Sequence, residues 1–345
     1  MIFFGKKKRV LGFDLSKNSV KVVELEHSGE KPNLVTYGGL EFPGTTLESD
    51  NVRNQEILIK TIQEVLERAR VTTREIVGSL PPQHVFSSIL LIPKVQEKEL
   101  SEAIRWEAKQ YVPVPLEEVV MDWQKIGEDE KSKKIKVYLV AAPQKLVQRY
   151  LDIYRAVNLT PLALETEPLA LIRSLVPPDN PSPVIIVDIG AYETNISVVE
   201  NHVLQLSRTI TSGSETITKA IASNLGVTNE RAEQFKKDFG LKREKLEGQI
   251  LKSVQPMINI LLTEIKRSIE FYKKEGSAEI KEIILSGGGA NLPGLVDYLN
   301  ENLGIKTDLG NPWLNVNYSA ALAEKINEIG PAFAVAVGLA LRKAA

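Results

Sequence analysis

The sequence predicts an α/β protein built from two similar halves, with a small strand–helix–strand–strand–helix unit set into the first. Three observations carry this. A strand ending in aspartate, a small polar turn and a second strand occur at 11–25 (LGFDLSKNSVKVVEL) and again at 184–200 (VIIVDIGAYETNISVVE). A proline-rich link, PPDNPSP at 177–183, separates the halves. Residues 85–157 read strand, helix, strand, strand, helix and contain neither motif. Asp, Asn and Ser favour turns anywhere, so the repetition is a stronger signal than either turn alone.

Composition bounds the chemistry. The 345 residues are enough for two or three core-forming units, with 43% hydrophobic and 25% charged residues, as in ordinary globular proteins. A net charge of −1 gives no global attraction to nucleic acid or membrane. No cysteine is present, which excludes disulfide frameworks and thiolate zinc sites, and fits a reducing compartment. His27, His84 and His202 are too scattered in sequence to suggest a metal–histidine site or a serine–histidine pair. No apolar run reaches the ~18 residues of a membrane span. The opening MIFFGKKKR has its basic residues after the apolar ones, the wrong order for a signal peptide. It reads as a tail leading into the first strand. The alternative is contact with anionic lipid through Lys6, Lys7, Lys8 and Arg9.

In order, the first hairpin continues into a strand at 34–42. Leu58, Ile62, Val65, Leu66 and Ala69 recur at helical spacing within a helix at 55–70. EIVGSL (75–80) is a strand, and PPQ breaks the chain. Then come a strand at 85–92 and a helix at 97–111 stopped by Pro113 and Pro115. Strands at 119–126 and 135–142 flank a charged turn, GEDEKSKK, and a helix follows at 144–157. TPLALE is a strand and PLALIRSLV a helix. In the second half, VLQLSRTI is a strand, and helices occupy 213–226, 228–240 (with Thr228 as N-cap) and about 244–275. Strand EIIL, glycines 287–289 and a helix starting near Pro293 come next. GPAFAVAVGLALRK closes the chain as a helix with Pro331 near its first turn.

Laid on one another, the two hairpins match Asp14 with Asp188, Ser16 with Gly190, and NSVKVVE (18–24) with TNISVVE (194–200). On this alignment the second turn is two residues longer. One acidic hairpin per half suggests two loops clamping a ligand from opposite sides. Gly287, Gly288 and Gly289 would let that ligand approach the main chain, and the N-terminal dipole of the next helix would face a phosphate or sugar. The glycines match neither a Walker loop nor a dinucleotide fingerprint.

Together these segments resemble the actin-like ATPase superfamily. GFDLSKNSVKVVEL resembles its first phosphate motif, VDIGAYETNISVV its second, and IILSGGGANLPGL its adenosine motif; ETEPLAL and AFAVAVGLAL resemble its connecting motifs. The resemblance covers nearly the whole chain. It implies two duplicated RNase H-like domains, with ATP or ADP and Mg²⁺ as cofactors. Asp14 and Asp188 would hold the magnesium, mostly through water. Ser16, Asn18, Ser19 and Lys21 would face the phosphates from one side, and Gly190, Ala191, Thr194 and Asn195 from the other. Gly213 would approach sugar or phosphate; Glu264, Arg267 and Ser268 would flank the adenosine; Gly287, Gly288 and Gly289 would pass the nucleotide. Glu167 is the candidate water-orienting base, its rival reading being a cap before Pro168. Ser16 replaces the family's usual glycine and bulky Tyr192 and Glu193 fill the second loop, so the resemblance implies ATP binding with at most slow ATPase activity.

The inserted unit selects a branch. Its order and position resemble subdomain 1C of FtsA and of the PilM family of type IV pilus assembly proteins. LPPQHVFSSILLIPKVQEKELSEAIRWEAKQYVPVP and EIKRSIEFY resemble PilM, and the chain ends at GLALRKAA without FtsA's terminal membrane helix. The expected domains are 1–82 with 161–182 and 331–345, an insertion at 83–160, and 183–330. The function this implies is an ATP-binding cytoplasmic scaffold, peripheral at the inner membrane. The N-terminal peptide of a PilN-like membrane protein would bind between the insertion and the first core subdomain. Self-association and further pilus assembly partners are open. The alternatives are an FtsA-like division filament protein, a secretion-system L-type protein and, with no sugar-binding motif to support it, a sugar-kinase-type phosphotransferase.

Overall fold

The computed structural model describes residues 8–43, 51–128, 132–242, 248–274 and 278–342. The start of the basic tail, the centre of the charged turn at 129–131, and the expected helical residues 244–247 and 275 lie outside the described residues.

Two five-stranded sheets share one topology. In the first, β1 (Lys8–Leu15), β2 (Ser19–His27) and β3 (Asn33–Glu41) form an antiparallel meander. Helix α1 (Val52–Arg68) then leads to β4 (Glu75–Leu80), parallel to β1, and β8 (Thr160–Thr166) extends the sheet in the order β3-β2-β1-β4-β8. The second sheet holds β9 (Val184–Ile189), β10 (Thr194–Glu200), β11 (Val203–Ile210), β12 (Glu282–Ser286) and β13 (Lys306–Leu309) in the order β11-β10-β9-β12-β13, with the same pattern of pairings. The duplication seen in the motifs therefore extends to the whole topology. The short strand β13 had no expectation: its four residues bury only Thr307 and give no alternation to read.

Register corrects the hairpin alignment. Asp14 pairs with Lys21 across β1–β2, and Asp188 pairs with Asn195 across β9–β10. Both turns are closed by the same hydrogen bond, Ser16 N to Ser19 O at 2.9 Å and Gly190 N to Glu193 O at 2.8 Å. The turns are thus equally long, and Lys21, not Ser19, is the counterpart of Asn195. Matching VVE with VVE slipped the second strands by two residues. A two-residue slip keeps every side chain on the same face, so the apolar pattern cannot detect it.

Helices cover the far faces. Helices α1 and α3 (Gln144–Ala156) pack on the first sheet around Phe13, Ile62, Tyr150 and Tyr154. Helices α5 (Ser214–Leu225), α6 (Asn229–Phe239), α7 (Gln249–Lys274) and α8 (Leu295–Leu303) pack on the second. The Thr228 hydroxyl accepts from Arg231 N and caps α6 as expected. Between the sheets lie α4 (Glu167–Leu175) and α9 (Ala323–Ala340), whose Ala170, Leu171, Ala334 and Leu339 share one core with Val10, Val77, Val184, Ile186 and Ile284. Helix α9 begins at Ala323, so Pro331 is interior rather than in the first turn.

The inserted elements are β5 (Phe86–Ile92), α2 (Glu97–Ala108), β6 (Val119–Glu128), β7 (Ile135–Pro143) and α3. The three strands form an antiparallel sheet, β5-β7-β6, with its own core beneath Leu100 and Ile104 of α2. Helix α3 instead contributes Tyr150 and Tyr154 to the core of the first sheet, where Tyr154 meets Phe13 edge-on at 5.4 Å. Helix α2 stops at Ala108, three residues before the expected end.

Candidate functional site

The aspartates are the penultimate residues of β1 and β9, the central strands of the two sheets, so each half delivers one carboxylate to the same place. A cleft of about 590 Å³ lies between them, lined by both turns, by Glu167 at the start of α4, by glycines 287–289 and by one face of α6. Asp14, Ser16, Asn18, Ser19, Lys21, Glu167, Asp188, Gly190, Ala191, Asn195, Gly287, Gly288 and Gly289 all line it.

Each aspartate has a serine of the parallel neighbouring strand beside it. Ser79, near the end of β4, donates to Asp14 Oδ1 at 3.2 Å, and Lys21 Nζ lies 3.4 Å from Oδ2. Asp188 is paired in register with Ser286 at the end of β12, whose hydroxyl donates to Pro331 O at 3.3 Å. Its partner across β9–β10 is the neutral Asn195, where Asp14 has a lysine. Burial, with Asp14 adding to it against the pull of Ser286 and Lys21, pushes the Asp188 carboxyl up to about 6. Glu167 is raised well above its ordinary range, first by burial and then by Asp14, Asp188 and Glu193. Asn195 Nδ2 donates to Glu167 Oε2 at 3.3 Å and is itself oriented by the Thr209 hydroxyl, 2.8 Å from its Oδ1. The cleft therefore concentrates negative charge that its own lysines only partly offset. Such a donor set suits a small hard cation that brings its own water and phosphate oxygens. Among the described residues, no group of three or more His, Cys, Asp or Glu side chains could hold an ion unaided.

The glycines divide by their surroundings. Gly287 has φ of +81°, and a Cβ there would lie 2.3 Å from Ile189 O, so the glycine-rich segment rests on the second loop's own strand. Its N–H donates to Pro331 O at 2.8 Å, which ties it to α9. A Cβ on Gly288 would meet nothing within 4 Å, leaving its backbone open to the cleft. The helix dipole expected beyond the glycines is set back: a 3-10 turn at Gly288–Asn291 intervenes, α8 starts at Leu295, and the lining ends at Pro293.

Several expected residues lie elsewhere. Thr194 is fully buried, and its hydroxyl donates to Ser212 O at 2.8 Å. Gly213 does not line the cleft; a Cβ there would sit 2.6 Å from Ala191 O and Gly190 O. Both contact the backbone of the second loop or its neighbour. Glu264, Arg267 and Ser268 on α7 are also outside the lining. Glu264 is bound to Arg208 on β11 at 3.4 Å and to Arg267 at 2.5 Å, and Ser268 donates to Glu264 O within its own helix. Their place at the cleft is taken by α6, through Glu233, Lys236 and Lys237. Lys236 is buried, and its Nζ contacts Glu233 at 2.6 Å, Thr218 at 2.8 Å and Ser214 O at 3.2 Å. The segment at 228–240 read only as a helix, and a helical reading does not say which polar side chain turns inward. Across the mouth, Lys17 stands 5.6 Å from the centre of the Tyr192 ring, joining the two loops.

Comparison with known proteins adds the following. The family model described as "Type IV pilus assembly protein PilM" matches residues 12–344. A chain in a solved PilM–PilN type IV pilus biogenesis complex is 31% identical, with a TM-score of 0.83, covering 96% of this chain and 98% of that one. The cell division protein FtsA of Bacillus subtilis is 22% identical over 346 residues, 88% of this chain and 78% of FtsA. MreB5 of Spiroplasma citri, solved with ADP, has a TM-score of 0.53 at 11% identity, covering 96% and 94%. The fold is the actin-like ATPase fold.

Proposed function

The chain belongs to the PilM family of type IV pilus assembly proteins, and on that premise we propose that it is an ATP-binding assembly scaffold, held at the inner membrane by a PilN-like partner. The observation that carries the nucleotide part is the mirrored pair of aspartates, each near the end of a central strand and each beside a serine of the neighbouring parallel strand, facing one cleft. Asp14 and Asp188 orient the waters of a magnesium ion, which would supply charge neutralisation for the phosphates. Ser16, Asn18, Ser19 and Lys21 receive the phosphates from the first half, and Gly190, Ala191 and Asn195 from the second. The open backbone of Gly288 lies beside the nucleoside, and Glu233, Lys236 and Lys237 provide its polar contacts. Glu167, oriented by Asn195, positions the attacking water in any turnover. Tyr192 and Glu193 crowd the second loop and keep that turnover slow.

Excess magnesium-ATP at ~100 times its dissociation constant should stabilise the protein by about 2.7 kcal/mol through mass action. After removal of any co-purified nucleotide, identical melting curves with and without magnesium-ATP would remove this reading.

A second groove, about 1120 Å³, runs between α1, α3 and the turn at Pro81–His84. Leu58, Ile59, Leu146, Tyr150 and Ile153 make its floor apolar, and Lys145, Arg149 and Asp152 stand along it. It lies where the inserted elements join the first sheet, and its dimensions suit a short peptide carrying apolar side chains. We assign the partner's N-terminal peptide to it. Among the described residues no helix is long and apolar enough to cross a membrane, so a membrane-anchored partner is the simplest tether. Fluorescence anisotropy with that peptide should report binding that Ile153→Asp weakens at least tenfold. No binding at ~100 μM, near −5.5 kcal/mol, would end the assignment.

A further inference from the structure

We propose that Ser79 and Ser286 are a matched pair of positioning residues that hold Asp14 and Asp188 in the orientation needed to take up a hydrated divalent cation with its nucleotide. The inference rests on the nucleotide reading above and deepens it. Ser286 ends, and Ser79 lies one residue from the end of, the strand that runs parallel to the aspartate strand of its own half. In the first sheet Phe13 pairs with Gly78, which brings Ser79 beside Asp14, and in the second Asp188 pairs directly with Ser286. The sequence repeats the arrangement as EIVGS at 75–79 and EIILS at 282–286.

Both side chains are fully buried. A hydroxyl at such a position costs desolvation that alanine would avoid, so its partners must account for it. For Ser79 they are specific. Its oxygen accepts the Leu15 N–H at 3.1 Å, which leaves its proton for Asp14 Oδ1 at 3.2 Å. With Lys21 at Oδ2, both oxygens of Asp14 are directed. For Ser286 the strand register sets the side chain beside Asp188, and the hydroxyl donates to Pro331 O, 3.3 Å away on α9. Asp188 has no lysine in the position Lys21 takes beside Asp14, so it depends more on its serine. Removing Ser286 should therefore cost more than removing Ser79.

The test is calorimetric titration of ATP, with magnesium and with EDTA, into wild type, Ser79→Ala, Ser286→Ala, Asp188→Ala and the Ser286→Ala/Asp188→Ala double variant. Melting of each ligand-free variant checks that it is folded. We expect magnesium-ATP affinity to fall about tenfold in Ser286→Ala and less in Ser79→Ala, with affinity in EDTA unchanged within about twofold. In the Asp188→Ala background, Ser286→Ala should have no further effect. An equal loss with and without magnesium would make the serines ordinary packing residues and overturn the proposal, as would undiminished magnesium-ATP affinity in both variants. Wild type that binds ATP in neither condition would instead overturn the nucleotide reading, and this inference with it.

Discussion

Asparagine in place of Asp188 should remove most of the magnesium-dependent ATP affinity while making the ligand-free protein more stable at neutral pH. The two effects share a cause. Burial, reinforced by Asp14, raises the Asp188 carboxyl from an ordinary 3.8 to about 6. The folded protein thus holds a proton that the unfolded chain releases near pH 4. As pH rises from about 4 to about 6, ionisation becomes free in the unfolded state but remains costly in the folded one, so stability falls through that window and levels off above it. Asparagine cannot ionise and escapes the penalty, a gain on the order of 2–3 kcal/mol above pH 6 that fades toward pH 4. Magnesium reverses the balance in wild type, since a bound cation favours the carboxylate. Wild-type magnesium-ATP affinity should therefore weaken as pH drops below about 6. The variant should show no such inflection from this group and bind roughly a hundredfold more weakly at pH 7.5, about 2.7 kcal/mol. Urea unfolding at pH 4.5 and 7.5, with calorimetry at both, reads every arm. If the stability gain is the same at both pH values, Asp188 is not the strained group.

That strain was not visible in the sequence, although the residue was. DLS and DIG announce themselves because an aspartate ending a buried strand, twice in one chain, has few purely structural explanations. What a linear reading lacks is the third dimension of each neighbour. Ser79 and Ser286 read as strand residues because their partners lie 65 and 98 positions away, and only the parallel register brings them alongside the aspartates. Helix α6 looked like an ordinary amphipathic segment because Lys236 spends its charge on Glu233 and Thr218 inside the fold. Glu264, Arg267 and Ser268 were expected beside the adenosine from the family resemblance, and Arg208 on β11 takes up the acidic member. Thr194 and Gly213 were sound as features of the second loop, but their contacts run into its backbone. Most strands and the element sequence of the inserted unit were legible because each is a local run of apolar residues between turn signals. The start of α9 was not, since Pro331 looks like a first-turn proline from its sequence neighbours.

The largest loss of stability should come from adding one carbon where α9 crosses α4 or where it lies against β1. A Cβ on Gly338 would lie 1.9 Å from Ala170 O, and one on Gly12 would lie 1.9 Å from Ala336 O and 2.6 Å from Ala340 N. In both cases the obstacle is backbone, so no side chain can rotate away and α9 itself must move, from α4 for Gly338 and from β1 for Gly12. These helices fill the layer between the two sheets, so separating them opens the core shared by Val10, Val184, Ile284 and Leu339. Gly338→Ala and Gly12→Ala should each cost about 3 kcal/mol, at the upper end of overpacking substitutions. Gly288→Ala is the contrasting case. Its Cβ would meet nothing within 4 Å, so its melting temperature should stay near wild type while the added methyl intrudes on the cleft. Thermal melts of the three variants, with and without magnesium-ATP, separate the roles. The crossing variants should melt early but still be stabilised by the ligand, and Gly288→Ala should melt normally and respond weakly. A Gly338→Ala protein that melts with wild type would mean that α4 and α9 are not held at this distance, and that the two halves are joined more loosely than their shared core implies.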